Sequence, residues 1–191
     1  MTTNSEIAAR RHAELTADRA TARLAGGEYA DSLELGIHWN PGAPKPLIFS
    51  SGGHAFALFY RDLPRTGREE GPLARGTFIP AVGAVEFLRV RSIKFGGPND
   101  ETLAGHPLFG KGLEFYAAHE VINSRWIEEE EKIDSVHPQH RGGWRDSLRH
   151  YIFTFHDETL ECLAEEIRTE QLECSYPEAA ARIADRLADG G

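Results

Sequence analysis

Two short segments near the end of the chain, Tyr151–His156 and Thr159–Ala164, constrain the fold more than any other part of the sequence. In both segments every second side chain is apolar, which is the period-two pattern of a β-strand. Only Asp157 and Glu158 separate them, and two residues are enough for a hairpin turn. The sequence therefore predicts an antiparallel hairpin at this place.

The predicted turn determines which side chains share a face of the hairpin. Closure at Asp157 and Glu158 places His156 opposite Thr159, and Thr154 opposite Glu161. The expected core face carries Tyr151, Phe153, Phe155, Leu160, Cys162 and Ala164. The other face carries His150, Ile152, Thr154, His156, Thr159, Glu161 and Leu163.

The mixed second face is the candidate catalytic site. We expect His156 to transfer protons, Glu161 to orient its imidazole, and Thr154 to contact a ligand or the same network. Histidine suits this chemistry because its unperturbed pKa lies near neutral pH. The alternative is a purely structural cluster of hydrogen bonds on a half-solvated sheet.

The rest of the chain also indicates strands separated by turns. Strands are expected at 32–39, 47–50, 54–60, 84–95 and 115–122. Ser124 is expected to cap a short helix that runs through Ile133, since acidic residues follow it in the early turns. This order of elements predicts a single α+β domain whose core is a mainly antiparallel sheet or sandwich, with a helix at each end.

The composition along the chain suggests three parts. Residues 1–27 are expected to form an N-terminal helix that stops at two glycines, and residues 28–174 a β-rich core. Residues 175–191 are expected to form a C-terminal helix, which begins with a capping box at Ser175 and packs through Ile183 and Leu187. Residues 61–76 are rich in proline, glycine and charge, and predict an exposed loop.

A pair of arginines in the strand at 84–95 is a candidate anion-binding site. Arg89 and Arg91 lie on the same side of this strand if it is regular, and two guanidinium groups can hold a carboxylate or a phosphate. A bulge near Leu88 would divide this row. The alternative is that both arginines face solvent or pair with acidic residues.

The loop that follows holds further ligand-binding candidates, namely Asn99, Asp100 and His106. Loops placed by a rigid sheet often carry binding residues. Asn and Asp are equally common as turn formers beside proline, which is the alternative for the first two positions.

His137 and His140 are the candidate metal ligands. The H-P-Q-H spacing would offer two imidazoles to zinc, copper, iron or nickel, with a third ligand from His106, His119 or Glu120. The alternative is a solvated loop, because polar residues and glycines surround the pair.

Several classes of function are disfavoured by what the sequence lacks. It has no phosphate-binding loop, no dinucleotide fingerprint, no G-x-S-x-G elbow, and no H-E-x-x-H or paired C-x-x-C zinc signature. We therefore expect no nucleotide cofactor, while a metal stays open. The net charge of −9 disfavours nucleic acid as a partner.

The cellular setting can also be predicted. The first ten residues have no apolar core of a secretory signal, and no run of about 18 apolar residues occurs, so we expect no membrane association. The two cysteines, Cys162 and Cys174, are typical of a reducing cytoplasm. Abundant arginine and alanine are common in proteins from GC-rich bacterial genomes.

Two functions from different classes fit these observations. The first is a small-molecule enzyme, accessory or biosynthetic, that uses a His/Glu acid–base site and acts on a small polar molecule; a metal-dependent version would use His137 and His140. The second is a non-catalytic module that binds a protein partner. The sequence leaves homo-oligomerisation open.

Overall fold

The computed structural model describes residues 16–62 and 81–189. They form an α+β fold with two antiparallel sheets and helices towards both ends, so the expected fold class is confirmed. The strands are β1 (Tyr29–Ser32), β2 (Leu47–Ser51), β3 (His54–Tyr60), β4 (Val82–Leu88), β5 (Ser92–Gly96), β6 (Ala118–Ile122), β7 (Arg149–Thr154), β8 (Thr159–Ala164) and β9 (Glu166–Leu172). The helices are α1 (16–24), α2 (Arg125–Asp134), α3 (Trp144–Ser147) and α4 (Tyr176–Asp189). Most of the loop predicted at 61–76 lies outside the described residues. The division into residues 1–27, 28–174 and 175–191 stays a prediction.

The two sheets pack face to face around an aromatic core. The five-stranded sheet has the order β1-β6-β7-β8-β5, and the four-stranded sheet has the order β2-β3-β4-β9. The ring of Trp39 lies 5.6 Å from that of Phe59 in β3 and 4.9 Å from that of Phe155 next to β7. Phe87 in β4 meets Phe153 in β7 edge to face, with ring centroids 5.5 Å apart. Side chains of both sheets therefore interdigitate in one sandwich core.

The predicted strand at 84–95 is wrong as a single strand, because the chain turns a corner between the sheets. β4 pairs with β9 up to Leu88 and Glu166, and β5 pairs with β8 from Ser92 and Leu163 onward. Between these pairings, three residues separate Leu88 from Ser92, but only two separate Leu163 from Glu166. The extra residue between β4 and β5 is a β-bulge. Arg89 has the left-handed φ of 51° that bends the chain there. One two-stranded ribbon thus continues from the first sheet into the second.

The predicted hairpin is confirmed as a pair of strands, but its register is displaced by two residues. β7 and β8 pair Thr154 with Thr159 and Ile152 with Glu161. Residues 155–158 form a four-residue loop, in which the N–H of Phe155 donates to the carbonyl of Glu158 at 2.8 Å. A displacement by two keeps every side chain on its predicted face, since alternation has a period of two. All six expected core residues are accordingly buried in the sandwich.

The predicted strand at 32–39 is largely wrong, although the alternation of its side chains between core and surface remains. β1 ends at Ser32, and Gly36 adopts a left-handed φ of 69° that no regular strand contains. Ile37 and Trp39 are nevertheless buried in the sandwich core. Alternate burial therefore persists along an extended segment outside the regular strands, which forms an isolated antiparallel bridge to Arg61 at Trp39.

Two local predictions hold closely. The strands expected at 47–50 and 54–60 are present as β2 and β3 and pair as a hairpin, in which Gly52 and Gly53 take the left-handed φ values of 57° and 80° that the turn requires. Ser124 caps α2 by accepting a hydrogen bond from the N–H of Ile127. The strand expected at 115–122 begins only at Ala118, because Tyr116 has a φ of 55°.

The outer face of each sheet is covered. On the four-stranded sheet, α4 buries Ala179 and Ile183 against Phe56 and Leu58 of β3, and Leu187 packs at the margin. On the five-stranded sheet, one apolar cluster joins α2 to β8 and a second joins the loop 103–113 to β6 and β7. Among the helices of the described chain, none combines the length and apolarity needed to cross a bilayer.

Truncation of Ile183 should show how much α4 contributes to stability. Ile183 is 1% exposed, and an Ile→Ala change at such a site costs about 2–5 kcal/mol. Ile183→Ala should therefore lower the free energy of unfolding in urea by that amount. The neighbouring Arg182 is exposed, so Arg182→Ala should change it by less than about 0.5 kcal/mol. Equal effects of the two changes would mean that the helix does not pack as described.

Candidate functional site

Polar side chains form a row across the outer face of the five-stranded sheet. The pairing register aligns Ser32, His119, Ile152, Glu161 and Lys94, one from each strand. The next row on the same face, two residues along each strand, brings His150 beside Leu163. Because α2 and the loop 103–113 cover this face, the imidazoles of His119 and His150 are buried. Buried polar groups of this kind need partners from the protein itself.

Glu161 is the centre of the largest polar group on this face. Its Oε2 lies 2.9 Å from Nε2 of His150, and its Oε1 lies 3.8 Å from Nε2 of His106. Burial alone would raise the pKa of this carboxyl, but the nearby imidazole of His106, the hydrogen bond to His150 and the charge of Lys94 hold it well below its usual range. Glu161 is therefore a carboxylate at neutral pH.

His150 connects this carboxylate to Ser124. Oγ of Ser124 lies 2.9 Å from Nδ1 of His150 and also accepts the N–H of Ile127 at 3.3 Å. With Glu161 ionised, Nε2 of His150 carries the proton of that hydrogen bond, so Nδ1 is the acceptor and Ser124 is the donor. We call Ser124, His150 and Glu161 the buried relay.

Ser124 also lies on the wall of a cavity of about 340 Å³. The cavity is lined by Gly26, Glu120, Val121, Ile122, Asn123, Ser124, Ile127, Glu128, Leu148 and Arg149. His150 and Glu161 lie behind the serine and do not line the cavity. The relay thus connects a surface cavity with a carboxylate under the cover of the sheet.

The link from β6 to α2 places Ser124 at the start of a helix. Asn123 turns the chain with a left-handed φ of 54°, which asparagine tolerates better than most residues. Its side-chain amide donates to the carbonyls of Gly26 and Gly27. The N–H of Arg125, the first residue of α2, donates to Glu28 at 2.8 Å. These contacts fix the serine at the start of α2.

Trp126 covers the imidazole of the relay. Its ring meets that of His150 edge to face at 5.2 Å, and Nζ of Lys94 lies 3.6 Å from its centroid. A cation over an indole face is attracted by the ring quadrupole. Trp126 therefore separates His150 from solvent while it holds Lys94 over the sheet.

The predicted grouping of Thr154, His156 and Glu161 is wrong, because the hairpin register differs. His156 lies in the four-residue loop, where its Nδ1 is 2.9 Å from Asp157 and its Nε2 is 3.7 Å from Asp100. The hydrogen bond to Asp157 raises the pKa of His156. Thr154 donates to the carbonyl of Glu114 at 2.8 Å and anchors that loop. Only Glu161 belongs to the buried relay.

The ligand-binding candidates Asn99, Asp100 and His106 lie in two separate places in the structure. Asn99 accepts hydrogen bonds from the N–H and the hydroxyl of Thr102, and so stabilises its own turn. Asp100 accepts the hydroxyl of Tyr116 beside His156. His106, by contrast, lies against Glu161 at the end of the relay. Ligand binding by these residues stays a prediction.

The two arginines are separated by the corner bulge. Arg89 pairs with Glu165, while Arg91 contacts Glu130 at 3.2 Å and Asp134 at 2.8 Å. The predicted common row is therefore wrong, because one extra residue at the bulge breaks the alternation. A role of either side chain in ligand binding stays a prediction.

The two histidines of the metal prediction lie after α2. Nδ1 of His137 accepts the N–H of Gln139, and Nε2 of His140 lies 4.0 Å from Glu131. In residues 16–62 and 81–189, no three or more His, Cys, Asp or Glu side chains are grouped so that they could hold a metal ion. The expected third ligand is thus not brought to this pair within that part of the chain.

Sequence reasoning identified Ser124 only as a helix cap and His150 only as a neighbour of Glu161 on one face. Their contact depends on the pairing of β6 with β7, which joins residues far apart in the chain. The available signal was the shared face of His150 and Glu161, together with a cap serine directly after a strand. The two-residue register error left the shared face intact but placed His150 too far along its strand to contact Glu161.

His119 should make stability depend on pH. Burial, with the nearby Arg19 charge, lowers its pKa from 6.5 to about 4, and its Nδ1 has no hydrogen-bond partner among the described residues. Because the pKa of His119 is lower in the folded state than in the unfolded state, its contribution to stability is complete when the pH is above the unfolded-state pKa. This contribution is lost as the pH falls towards the folded-state pKa. Between pH 6.5 and pH 4 this loss should be about 3 kcal/mol.

The variant His119→Gln should reduce this acid-side loss in urea unfolding measured from about pH 7 to about pH 4. Glutamine can still accept the N–H of Glu114, which now donates to Nε2 of His119 at 3.2 Å, but it does not titrate. His156→Gln is the control: the pKa of His156 is raised, so its contribution has the opposite sign and the acid-side loss should persist. An unchanged pH dependence in His119→Gln would contradict the assignment.

Comparison with protein-family models, with curated proteins and with solved structures gives no match for this chain. Its function is therefore argued from the geometry of the site alone.

Proposed function

We propose that this protein is a small-molecule enzyme that hydrolyses or transfers an acyl group, with Ser124 as nucleophile, His150 as general base and Glu161 as the carboxylate that orients and stabilises His150. One observation carries the proposal: Ser124, His150 and Glu161 are joined by two contacts of 2.9 Å, and the serine lies on a cavity wall. This retains the His/Glu acid–base chemistry expected from the sequence, with a different histidine.

The reaction would follow the usual two half-reactions of a serine nucleophile. Oγ of Ser124 attacks the carbonyl carbon of the substrate while its proton passes to Nδ1 of His150. The imidazolium then returns this proton to the leaving group as the bond to the carbonyl carbon breaks, which leaves an acyl-serine. Water that enters beside Ser124 then gives its proton to Nδ1 of His150 as it attacks the acyl-serine. The imidazolium returns this proton to Oγ of Ser124 as the bond to the acyl carbon breaks and the acid leaves; an alcohol or amine in place of water gives transfer.

Glu161 would stabilise the imidazolium formed in both steps. It is ionised at neutral pH because His150 hydrogen-bonds to the carboxylate and His106 and Lys94 lie close to it. It lies 18% exposed, so its attraction to the imidazolium is less screened by water than on an open surface. A hydrogen bond from Nε2 also holds His150 in the tautomer whose Nδ1 can accept the serine proton.

The first turn of α2 would stabilise the negative oxygen of the tetrahedral intermediate. The first N–H groups of a helix have no acceptor within the helix, and its N-terminal end carries partial positive charge. At present Glu28 accepts the N–H of Arg125. A substrate oxygen that binds here would therefore compete with Glu28.

The cavity supports a small polar substrate. Its volume of about 340 Å³ admits a small molecule, and Glu120, Glu128 and Arg149 contribute charged groups to its wall.

Cys162 and Cys174 are both free and buried, in keeping with the cytoplasmic location expected from the sequence.

A fluorophosphonate probe tests the nucleophile without knowledge of the substrate. An activated serine displaces fluoride from phosphorus and keeps the phosphonyl group, so intact-mass and peptide mass spectrometry should find one adduct on Ser124. Ser124→Asn, which retains a good cap residue, should remove the adduct, and His150→Asn should slow labelling by at least about 100-fold. Circular dichroism would verify that both variants fold.

Ser175 provides a matched control in the same chain. It caps α4 and donates to Glu178 at 2.7 Å, so it has a carboxylate partner but no imidazole. Wild-type protein should not be labelled there, and Ser175→Ala should react like wild type. Absence of the adduct from Ser124, or equal labelling of both serines, would refute the proposal.

Substitution of the carboxylate tests the third member of the relay. Glu161→Gln can retain the hydrogen bond to His150 but removes the charge, so the labelling rate of Ser124 should fall by at least about tenfold. Glu178→Gln, which changes the carboxylate beside the control serine, should leave this rate unchanged. A normal rate in Glu161→Gln would show that Glu161 has only a structural role.

The second candidate function is the non-catalytic, partner-binding module. In that case the buried relay would only fix α2 to the sheet, and Ser124 would be unreactive towards the probe. A specific observation favours a binding function as well, namely a set of exposed aromatic rings at the other end of the covered face.

A further inference from the structure

Two exposed aromatic rings, Phe115 and Tyr116, lie between the half-buried rings of Phe109 and His156 on the surface beside the β7–β8 loop. The ring centroids of Phe109 and Phe115 are 5.9 Å apart, those of Phe115 and Tyr116 are 6.3 Å apart, and those of Tyr116 and His156 are 6.4 Å apart. Phe115 is 44% exposed and Tyr116 is 37% exposed. We call these four side chains the aromatic ridge. Large apolar groups exposed together commonly mark an interaction surface.

The aromatic ridge is held firmly by the sheet beneath it. The hydroxyl of Thr154 donates to the carbonyl of Glu114 and accepts the N–H of Ala117, so β7 clamps both ends of the segment that carries two of the rings. The hydroxyl of Tyr116 is bound by Asp100. A partner would therefore meet rings that are already ordered, which reduces the entropic cost of binding.

Carboxylates surround the aromatic ridge. Asp157 and Asp100 flank the imidazole of His156, and the side chain of Asp157 is 73% exposed. Glu101 and Glu114 are also exposed, in the segment between β5 and β6 that carries Asp100. On the side of Phe115 towards α1, Arg19 lines the surface, but it is paired with Asp31. The charge around these rings therefore complements a cation.

Arginine fits this surface better than other cationic side chains. A guanidinium group stacks on aromatic faces and also pairs with a carboxylate through its planar fork of donors. The chain has a net charge of −9, so attraction of a basic partner would extend beyond the contact itself.

The spacing of the rings favours a peptide segment over a small cation. In an extended chain, alternate side chains repeat at about 6.5–7 Å. The rings of the aromatic ridge follow one another at 5.9, 6.3 and 6.4 Å, so alternate residues of one segment can each meet a ring. A single small cation would contact only one or two of them.

We propose that the aromatic ridge binds an extended, arginine-containing segment of a partner protein, whose guanidinium groups lie over Phe115 and Tyr116 and pair with the carboxylates around them. This surface is separate from the buried relay, and the proposal does not depend on the proposed function.

A labelled peptide of alternating arginine and serine, about eight residues long, tests this inference through fluorescence anisotropy with the full chain. Phe115→Ala and Asp157→Asn should each raise the dissociation constant about two- to fivefold, as exposed cation–π contacts predict. Tyr116→Asn should do the same, since asparagine tolerates the left-handed φ at this position. Replacement of arginine by lysine in the peptide should weaken binding further.

Two matched controls distinguish the aromatic ridge from general attraction by charge. Phe95 is also 44% exposed but belongs to β5, and Glu129 is an exposed acidic residue on α2. Phe95→Ala and Glu129→Gln should leave the dissociation constant unchanged. Equal losses in these controls would overturn the proposal.

Two further outcomes would also overturn it. One is the absence of peptide binding up to about 1 mM. The other is displacement of the peptide by tetramethylammonium at similar concentrations, which would identify a site for small cations. Labelling of Ser124 is a separate readout, so failure here would not affect the proposed enzymatic activity.

Discussion

Burial of both faces of β7 and β8 is the constraint on which the rest of the structure depends. One face belongs to the aromatic core between the sheets, and the other lies under α2 and the loop 103–113. Any polar side chain on the covered face must then find its partner within the protein, since an unpaired buried polar group costs several kcal/mol. Ser124, His150 and Glu161 satisfy this requirement among themselves, so the polar contacts follow from the layered packing.

The two proposed functional surfaces depend on the same covering loop. Residues between Leu103 and Leu113 supply the apolar cover of Ile152, and His106 from this loop reaches Glu161. The continuation of the loop carries Phe115 and Tyr116, which are exposed. One irregular segment thus closes the polar row on its inner side and presents aromatic rings on its outer side.

Much of the fold could be predicted from the sequence because alternation determines which face a side chain occupies. The faces of β7 and β8 were correct even with the register displaced by two, but the partner of Glu161 was not, because partners depend on register as well as on face. The contact between Ser124 and His150 could not be predicted, since it requires the pairing of β6 with β7. A bulge near Leu88 was only an alternative to a regular strand at 84–95, because a left-handed arginine has no sequence signal comparable to glycine.

The ribbon that bends through this corner couples the two sheets as one folding unit. β4 and β9 belong to the four-stranded sheet, yet their direct continuations β5 and β8 belong to the other. Neither sheet can lose its strands without pulling apart hydrogen bonds in its neighbour. Unfolding should therefore be cooperative across the sandwich, with both sheets exchanging their protected amide hydrogens through one common opening event.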